Sequence, residues 1–374
     1  MSDSGYDAVV IGAGIVGAAC AADFASNGLR VAVIEAGVVG GGATAAGMGH
    51  LTVMDDSEAQ FALTHYSQIL WRELSPSLPP DVEYYPCGTI WVAADDEEMA
   101  EVYRKHHFYL ERGVATEILD RAALADAEPN LRKGLAGGLL VPGDSVIYPP
   151  CAARFLVQEA ERRGASVKLG RRVIEITGSG VRLDDGTSYS SAMTVIATGT
   201  AAAQWMPGIA MQPRKGHLII TDRYPGFLNH QLIELGYLKS AHALDADSVA
   251  FNVQPRRTGQ ILIGSSRQYG VEDSTTEPPM LKAMLRRAVE YMPGIANLSA
   301  IRSWTGFRAA TPDKLPLIGR CPGYDNVYLA TGHEGLGITT SLATARLLSD
   351  CILGRESAIP RSLYLPERSH ALHV

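Results

Sequence analysis

Three glycines and one carboxylate near the N-terminus have the types and spacing of a nucleotide-binding loop. Gly12, Gly14 and Gly17 follow an apolar run, and Glu35 lies about 20 residues beyond the loop. In such a loop the first glycine permits a tight turn, the second lets the backbone approach a pyrophosphate, and the third allows close helix–strand packing. An acid at the position of Glu35 can accept hydrogen bonds from ribose hydroxyls. The pattern therefore predicts a dinucleotide site, for either NAD or FAD.

A β–α–β unit must position these residues. VVIGAGIVG, residues 9–17, predicts a strand that ends in the glycine turn and a helix that begins there, and VAVIE, residues 31–35, predicts a second strand. The helix N-terminus presents free N–H groups and its positive dipole end to the phosphates. This local unit makes the nucleotide-loop interpretation much stronger than the glycine spacing alone.

A second run of small residues follows the β–α–β unit. Residues 40–50, GGGATAAGMGH, suggest a backbone that closely approaches a flat or crowded group. A flexible linker is the alternative, although a linker would be expected to contain more serine and charge.

Length and charge limit the classes of protein. A chain of 374 residues is long enough for two domains. The net charge of −7, with both signs interspersed, argues against a nucleic-acid surface. The five cysteines are widely spaced and odd in number, which favours free thiols in a reducing cytoplasm. The uncharged run 8–22 falls short of the ~20 residues that span a bilayer. We therefore expect a cytoplasmic protein without a transmembrane segment.

Nucleotide-domain segments recur in the middle and at the end of the chain. Residues 194–199 predict a buried strand that ends in a small-residue turn. Residues 327–331 predict another strand, followed by a glycine turn at 332–337 and a terminal helix. Alternating strands dominate from residue 216 to about residue 302. This order predicts one discontinuous α/β domain with a second domain inserted into it.

Four motifs resemble the D-amino-acid-oxidase-like family of FAD oxidoreductases, which includes glycine and sarcosine oxidases and D-amino-acid and D-hydroxyproline dehydrogenases. They are VVIGAGIVG with IEAG, then ATAAGMGHL, then TVIATG, and finally GFRAATPDKLPLIG running on to LATGHEGLGIT. The resemblance covers essentially the whole chain and implies FAD rather than NAD. The expected fold is α/β: a discontinuous FAD-binding Rossmann-like domain (1–82, 146–215 and 303–374) with an inserted antiparallel-sheet substrate domain (83–145 and 216–302).

The resemblance implies two loops around the flavin, at residues 44–48 and 332–339, and a backbone contact of Val173 with the adenine. The helix that opens at 337–339 would stabilise negative charge on the reduced flavin. The expected cofactor-binding residues are Gly12, Gly14, Ile15, Val16, Gly17, Glu35, Ala36, Thr44, Ala45, Ala46, Gly47, Met48, Val173, Gly199, Gly332, Gly335, Leu336, Gly337, Ile338 and Thr339.

Arg308 is the strongest candidate for a substrate-binding side chain. In relatives, the arginine of the matching segment binds the substrate carboxylate with its planar, two-pronged donor set. Arg256, Arg257 and Arg267 lack a comparable motif context, and we interpret them as solvated.

Three further side chains are candidates near the reaction centre. His333 and His50 lie in family motifs, where a histidine tunes polarity, hydrogen-bonds the flavin or simply packs. Phe251 and Asn252 occupy the region where glycine oxidases usually have a tyrosine. Asn252 either hydrogen-bonds a hydroxylated or cyclic substrate or lines a strand. No His/Cys/Asp cluster has metal-ligand spacing, and we expect no metal.

The chemistry expected needs no general base. With a neutral amine, the Cα hydrogen leaves as hydride to flavin N5 while the nitrogen lone pair stabilises the iminium. Monomeric sarcosine oxidases tether FAD through a cysteine just upstream of the Thr-Pro-Asp segment, where this chain has Gly306, Phe307 and Arg308. We therefore expect non-covalent FAD.

The leading functional hypothesis is oxidation of a small amino acid at its Cα–N bond. The GHEGLGIT and AAGMGHL segments are most similar to those of D-proline and D-hydroxyproline dehydrogenases. The alternative substrate is glycine, sarcosine or another N-substituted glycine, and an alternative of another class is an FAD-bound partner subunit without independent turnover. Oxygen or a quinone is the expected electron acceptor. The sequence is compatible with a homo-oligomer and does not decide the oligomeric state.

Overall fold

The computed structural model describes residues 5–206, 208–236 and 247–368. The strands of these ranges are β1 (Tyr6–Ile11), β2 (Val31–Glu35), β3 (His50–Leu51), β4 (Thr89–Ala93), β5 (Glu117–Asp120), β6 (Gly137–Val141), β7 (Ser145–Val146), β8 (Ser166–Leu169), β9 (Val173–Thr177), β10 (Gly180–Leu183), β11 (Ser188–Ile196), β12 (Gln212–Thr221), β13 (Gln231–Glu234), β14 (Ser248–Pro255), β15 (Ile261–Arg267), β16 (Ala300–Ala310), β17 (Leu317–Arg320) and β18 (Val327–Thr331). The α-helices are α1 (Ile15–Ser26), α2 (Gly42–Ala45), α3 (Glu58–Leu74), α4 (Asp96–Glu111), α5 (Arg121–Ala127), α6 (Pro149–Arg162), α7 (Pro278–Tyr291) and α8 (Gly337–Ile352).

The first sheet has the strand order β17-β18-β11-β1-β2-β8, and the strands from β18 to β8 are parallel. Helix α1 packs between α6 and α8 on one face of this sheet, where Phe24, Ala152 and Leu348 are fully or almost fully buried. The β9–β10 hairpin extends from β11, and its residue Val181 joins a second apolar cluster with Ile34. Parallel strands covered on both sides explain why these segments are continuous apolar runs in the sequence.

The second sheet has the strand order β16-β12-β15-β14-β13-β4-β6-β5, and all of its pairs except β13–β4 are antiparallel. Helix α7 packs on β14 and β15, where the rings of Phe251 and Tyr291 stack with centroids 4.5 Å apart. The predicted α/β fold, a Rossmann-like sheet combined with an antiparallel sheet, is confirmed.

Strands β12 and β16 pair along ten positions and form one edge of the second sheet. The predicted domain limits at 215/216 and 302/303 fall inside these two strands. The second sheet therefore begins before residue 216 and continues beyond residue 302 of the sequence. The division into two domains stays a prediction.

Among the described residues, no helix combines the length and the apolar character that a membrane span requires.

Candidate functional site

A cavity of about 520 Å³ lies where the carboxyl ends of the parallel strands meet one face of the second sheet. Its lining includes the segments that follow β1, β2, β11 and β18. Because the parallel strands end at one edge of the sheet, residues distant in sequence converge there, as in other open α/β sheets.

The geometry of the N-terminal loop accounts for its three glycines. Gly12 has φ +102°, and a Cβ there would lie 2.7 Å from the carbonyl oxygen of Ala197. A Cβ at Gly17 would overlap the Gly12 carbonyl oxygen, so α1 can pack this closely only with glycine. Gly14 faces the cavity, and its nearest neighbour is Thr44 Oγ1, which accepts a 2.9 Å hydrogen bond from the Ile15 amide. The start of α1 is therefore accessible to an anion.

Glu35 is held at the cavity wall by two backbone hydrogen bonds. Its Oε2 accepts from the Ala13 amide at 2.7 Å, and its Oε1 accepts from the Gly37 amide at 2.7 Å. Each oxygen keeps a second lone pair for a further donor such as a hydroxyl. Val173 lines the same cavity.

The small-residue run at 40–50 is ordered, and the flexible-linker alternative is wrong. The Met48 carbonyl accepts a 2.8 Å hydrogen bond from Gln254 Nε2, and the Ala46 carbonyl accepts one from Trp304 Nε1 at 3.3 Å. A Cβ at Gly47 would lie 2.5 Å from Ile338 Cδ1. Small residues are required here because the run is packed between the second sheet and the start of α8.

Arg308 projects from β16 across Gly216 of β12. A Cβ at Gly216 would lie 2.6 to 2.8 Å from the guanidinium atoms, so glycine provides the space for this side chain. Arg308 Nη1 donates to the Ser266 carbonyl at 3.1 Å, and the side chain lines the cavity. Burial, together with Arg214 nearby, lowers the pKa of Arg308 to about 10. The group therefore remains a cation at neutral pH.

Four more of the described arginines line the cavity, and two of them, Arg214 and Arg267, lie near Arg308, where neither was expected. Arg214 lies opposite Arg308 on β12, forms a buried ion pair with Glu334, and has Nη1 3.3 Å from the Tyr269 hydroxyl. Arg267 is largely buried at the end of β15, where burial and the nearby Arg214 lower its pKa to about 9.

The interpretation of Arg267 as solvated is therefore wrong, because β15 turns this position toward the cavity. The same interpretation is wrong for Arg256. Its side chain is only 9% exposed, forms a 2.8 Å ion pair with Glu83, and lies over the Tyr148 ring. Arg257 is exposed, as expected.

The other three substrate-site candidates also line the cavity. Burial lowers the pKa of His50 to about 4, and its Nε2 has no hydrogen-bond partner among the described residues. Burial lowers the pKa of His333 to about 3, and its Nε2 lies 3.0 Å from Thr344 Oγ1. Asn252 is buried, and its Oδ1 is without a partner in the described part of the chain. Both histidines are therefore neutral at physiological pH.

Most of the predicted cofactor-binding residues line the same cavity: Gly12, Gly14, Ile15, Val16, Glu35, Ala36, Thr44, Ala46, Gly47, Met48, Val173, Gly199, Gly332, Gly335, Leu336, Gly337 and Ile338. Three lie outside its lining. Gly17 packs α1 on the glycine turn, Ala45 is exposed, and Thr339 is buried with its hydroxyl donating to the His50 carbonyl at 2.8 Å. Among the described residues, no cluster of three or more His, Cys, Asp or Glu has the arrangement of a metal site.

Comparison with known proteins identifies the family. The model of the DAO family, described as FAD dependent oxidoreductase, matches residues 7–351. The chain belongs to this family. It is 29% identical to a glycine oxidase of Pseudomonas aeruginosa, covering 96% of this chain and 98% of the relative. The crystal structure of glycine oxidase from Geobacillus kaustophilus is 26% identical with a TM-score of 0.85, covering 96% of this chain and 98% of that structure.

The structure of L-proline dehydrogenase from P. horikoshii has the same TM-score of 0.85 at 24% identity, covering 97% of each chain, and this likeness supports the fold alone. The glycine oxidase relatives favour the glycine alternative over the D-proline hypothesis.

The protein is an FAD-dependent amino-acid oxidoreductase, and its cavity fits that cofactor. At one end, the N-terminus of α1 lacks a side-chain cap from Gly14 and can bind a pyrophosphate. At the other end, the N-terminus of α8 has no side-chain cap from Leu336. The orphaned Nε2 of His50 and Oδ1 of Asn252 lie in the same lining, as polar atoms that a bound ligand would satisfy.

Proposed function

We propose that this protein oxidises glycine or an N-substituted glycine at its Cα–N bond to the imine, with FAD bound non-covalently. The observation that carries the proposal is the position of Arg308, a buried cation that lines the cofactor cavity over Gly216. A guanidinium in this environment favours a small carboxylate, which it binds with two parallel hydrogen bonds.

The side chains near Arg308 have distinct roles in this proposal. Arg308 binds the carboxylate and thereby orients Cα. Asn252 Oδ1, buried without a partner in the described ranges, accepts a hydrogen bond from the substrate amine. Neutral His50, whose Nε2 is buried without a partner among the described residues, can hydrogen-bond the substrate or the flavin. Met48 and Trp91 line the cavity and limit the access of water to the reacting bond.

FAD, when bound, would supply the acceptor for the hydride that leaves Cα, with oxygen or a quinone as the final electron acceptor. The glycine turn after β1 would hold its pyrophosphate, Glu35 its ribose, and the loops at 44–48 and 332–338 its ring. The chain's cysteines, Cys20, Cys87, Cys151, Cys321 and Cys351, are all described, and none of them lines the cavity. This supports non-covalent binding.

The decisive experiment is anaerobic mixing of the holoenzyme with glycine, sarcosine, D-alanine, D-proline and cis-4-hydroxy-D-proline. We expect glycine or sarcosine to bleach the flavin band near ~450 nm, and to do so faster than the two proline compounds. Arg308→Ala should keep its FAD and lose at least a hundredfold in kcat/KM. Arg320→Gln removes an exposed arginine outside the cavity and is the matched control. Faster reduction by D-proline, or full activity of Arg308→Ala, would contradict the proposal.

A further inference from the structure

Two side chains of the second sheet hold the backbone of the segment that is expected to face the flavin. Trp304 Nε1 of β16 donates to the Ala46 carbonyl at 3.3 Å, and Gln254 Nε2 of β14 donates to the Met48 carbonyl at 2.8 Å. Neither donor side chain lines the cavity, whereas Ala46 and Met48 do. The two side chains therefore act on the wall of the cavity rather than inside it.

Gln254 is a costly residue at its position in β14. Its side chain is fully buried, and its Oε1 has no hydrogen-bond partner among the described residues. A buried amide with an unpaired oxygen costs free energy, and the one hydrogen bond from Nε2 offsets only part of that cost. A methionine of similar size would avoid the unpaired oxygen. Fold stability therefore does not account for the glutamine, which directs attention to its contact with Met48.

The contact with Gln254 fixes the orientation of the peptide that joins Met48 to Gly49. The C=O and N–H of a trans peptide point in opposite directions, so the Gly49 N–H points away from Gln254. No described residue accepts a hydrogen bond from this N–H. Gly49 lines the cavity, and a Cβ there would overlap the Ile147 carbonyl oxygen, so its backbone is closely packed. The Gly49 N–H is thus a fixed donor that is available to a ligand in the cavity.

Strand β14 connects this peptide with another residue of the cavity lining. Side chains alternate between the two faces of a strand, so Gln254 and Asn252, two residues apart, share one face. Asn252 lines the cavity and pairs with Gly264 of β15, where a Cβ would lie 3.1 Å from Met48 Sδ. One strand therefore determines both the position of Asn252 and, through Gln254, the position of the Met48–Gly49 peptide.

We propose that Gln254 is a positioning residue of the flavin site, which acts through the Met48–Gly49 peptide. The Gly49 N–H that it orients donates to the flavin ring, where a fixed donor stabilises the negative charge that the ring gains on reduction. Gln254 thereby raises the midpoint potential of the bound flavin and the rate of its reduction. This inference goes beyond the proposed function, because it holds for any amino acid that the enzyme oxidises.

The first test uses Gln254→Met, which keeps the length of the side chain and removes the donor. Gln158→Met, on the exposed side of α6, is the matched control. The midpoint potential of the bound flavin is measured against a reference dye, together with FAD content and Tm, for each holoenzyme. We expect a lower midpoint potential for Gln254→Met and the wild-type value for Gln158→Met. Equal midpoint potentials in all three proteins would overturn the inference, even if Gln254→Met has a lower Tm.

The rate of anaerobic flavin reduction provides the magnitude. Removal of a donor aimed at developing charge costs about 10²–10³-fold in rate, and Gln254→Met displaces such a donor without removing it. We therefore expect the reduction rate constant at saturating substrate to fall about tenfold, with little change in the Kd of FAD or of substrate. Weaker FAD binding with an unchanged reduction rate constant would overturn the inference. The potential measurement needs no amine, so it stands even if glycine and sarcosine fail to reduce the flavin.

Gln254→Glu tests the hydrogen bond itself, because the two side chains have the same shape. A protonated carboxyl group donates through its O–H, whereas a carboxylate has no donor. The midpoint potential of this variant, compared with wild type at the same pH, should match wild type at low pH and approach that of Gln254→Met once the carboxyl ionises. A Gln254→Glu enzyme that equals Gln254→Met at every pH would overturn the inference. If Gln254→Met does not fold, a constant difference between Gln254→Glu and wild type at every pH would overturn it.

Discussion

Gly216→Ala should disable substrate binding without damage to the fold. The added Cβ would lie 2.6 to 2.8 Å from the guanidinium atoms of Arg308, whereas ordinary contacts begin at 3.4 Å. The guanidinium must therefore move by roughly 0.6 to 0.8 Å. Because the end of a long side chain can shift easily, the strain should be relieved by Arg308 rather than by the backbone. Gly216 lies in a strand and has no positive φ, so alanine is compatible with its backbone.

The magnitude follows from what this shift does to a bidentate contact. Hydrogen bonds to charged groups contribute about 1.5–3 kcal/mol each, and a misplacement of about 1 Å can cost about a hundredfold in rate. We expect kcat/KM to fall about a hundredfold, which corresponds to about 2.7 kcal/mol of transition-state stabilisation.

The assay is stopped-flow flavin reduction with the best substrate, together with FAD content and Tm for each protein. Gly178→Ala is the matched control, because a Cβ at Gly178 meets nothing within 4 Å. Gly216→Ala with normal FAD content, normal Tm and wild-type kcat/KM would refute the reasoning, since Arg308 would then not need its present position.

Three further outcomes are expected. Gly14→Val should give a folded apoprotein, because the valine side chain would fill the space at the N-terminus of α1 where the pyrophosphate is expected to bind. Full FAD occupancy of this variant would contradict the prediction. The pKa of His333 is lowered to about 3, so the protein should lose about 2 kcal/mol of stability from this group as the pH falls from 7.5 to 5. In urea unfolding, the free energy of unfolding of His333→Asn should therefore change less between the two pH values than that of the wild type. An equal change in both proteins would contradict the lowered pKa of His333. Lys105→Met removes the buried cation paired with Asp55 and should cost about 3–5 kcal/mol. Thermal unfolding beside the exposed control Lys133→Met measures this loss, and equal Tm values would contradict it.

Sequence patterns were informative where the relevant geometry is local. The turn at Gly12 and Gly14 and the acid at Glu35 belong to one β–α–β unit, whose backbone geometry is specified by neighbouring residues. The residues at 44–48 and 332–339 belong to continuous segments, so a family motif identifies them together. Three positions in these segments, Gly17, Ala45 and Thr339, nonetheless lie outside the cavity lining, since a motif does not specify the direction of each side chain.

The charge of the cavity around Arg308 could not be predicted in the same way. Arg214, Arg267 and Arg308 lie on three strands far apart in the sequence, and only the pairing of β12 with β15 and β16 brings them to one face. A shift of one residue in register would turn a side chain to the opposite face. This is why Arg267 and Arg256 were wrongly expected in solvent.

The sequence by itself determined a dinucleotide site, because contiguous glycine motifs specify a backbone shape that binds a dinucleotide. The family resemblance of its motifs then indicated FAD and the reaction class. The tertiary structure decided which charged side chains share the cavity. Strand register and the missing side chain of Gly216 bring Arg308 and two further arginines together, and no local pattern encodes that arrangement.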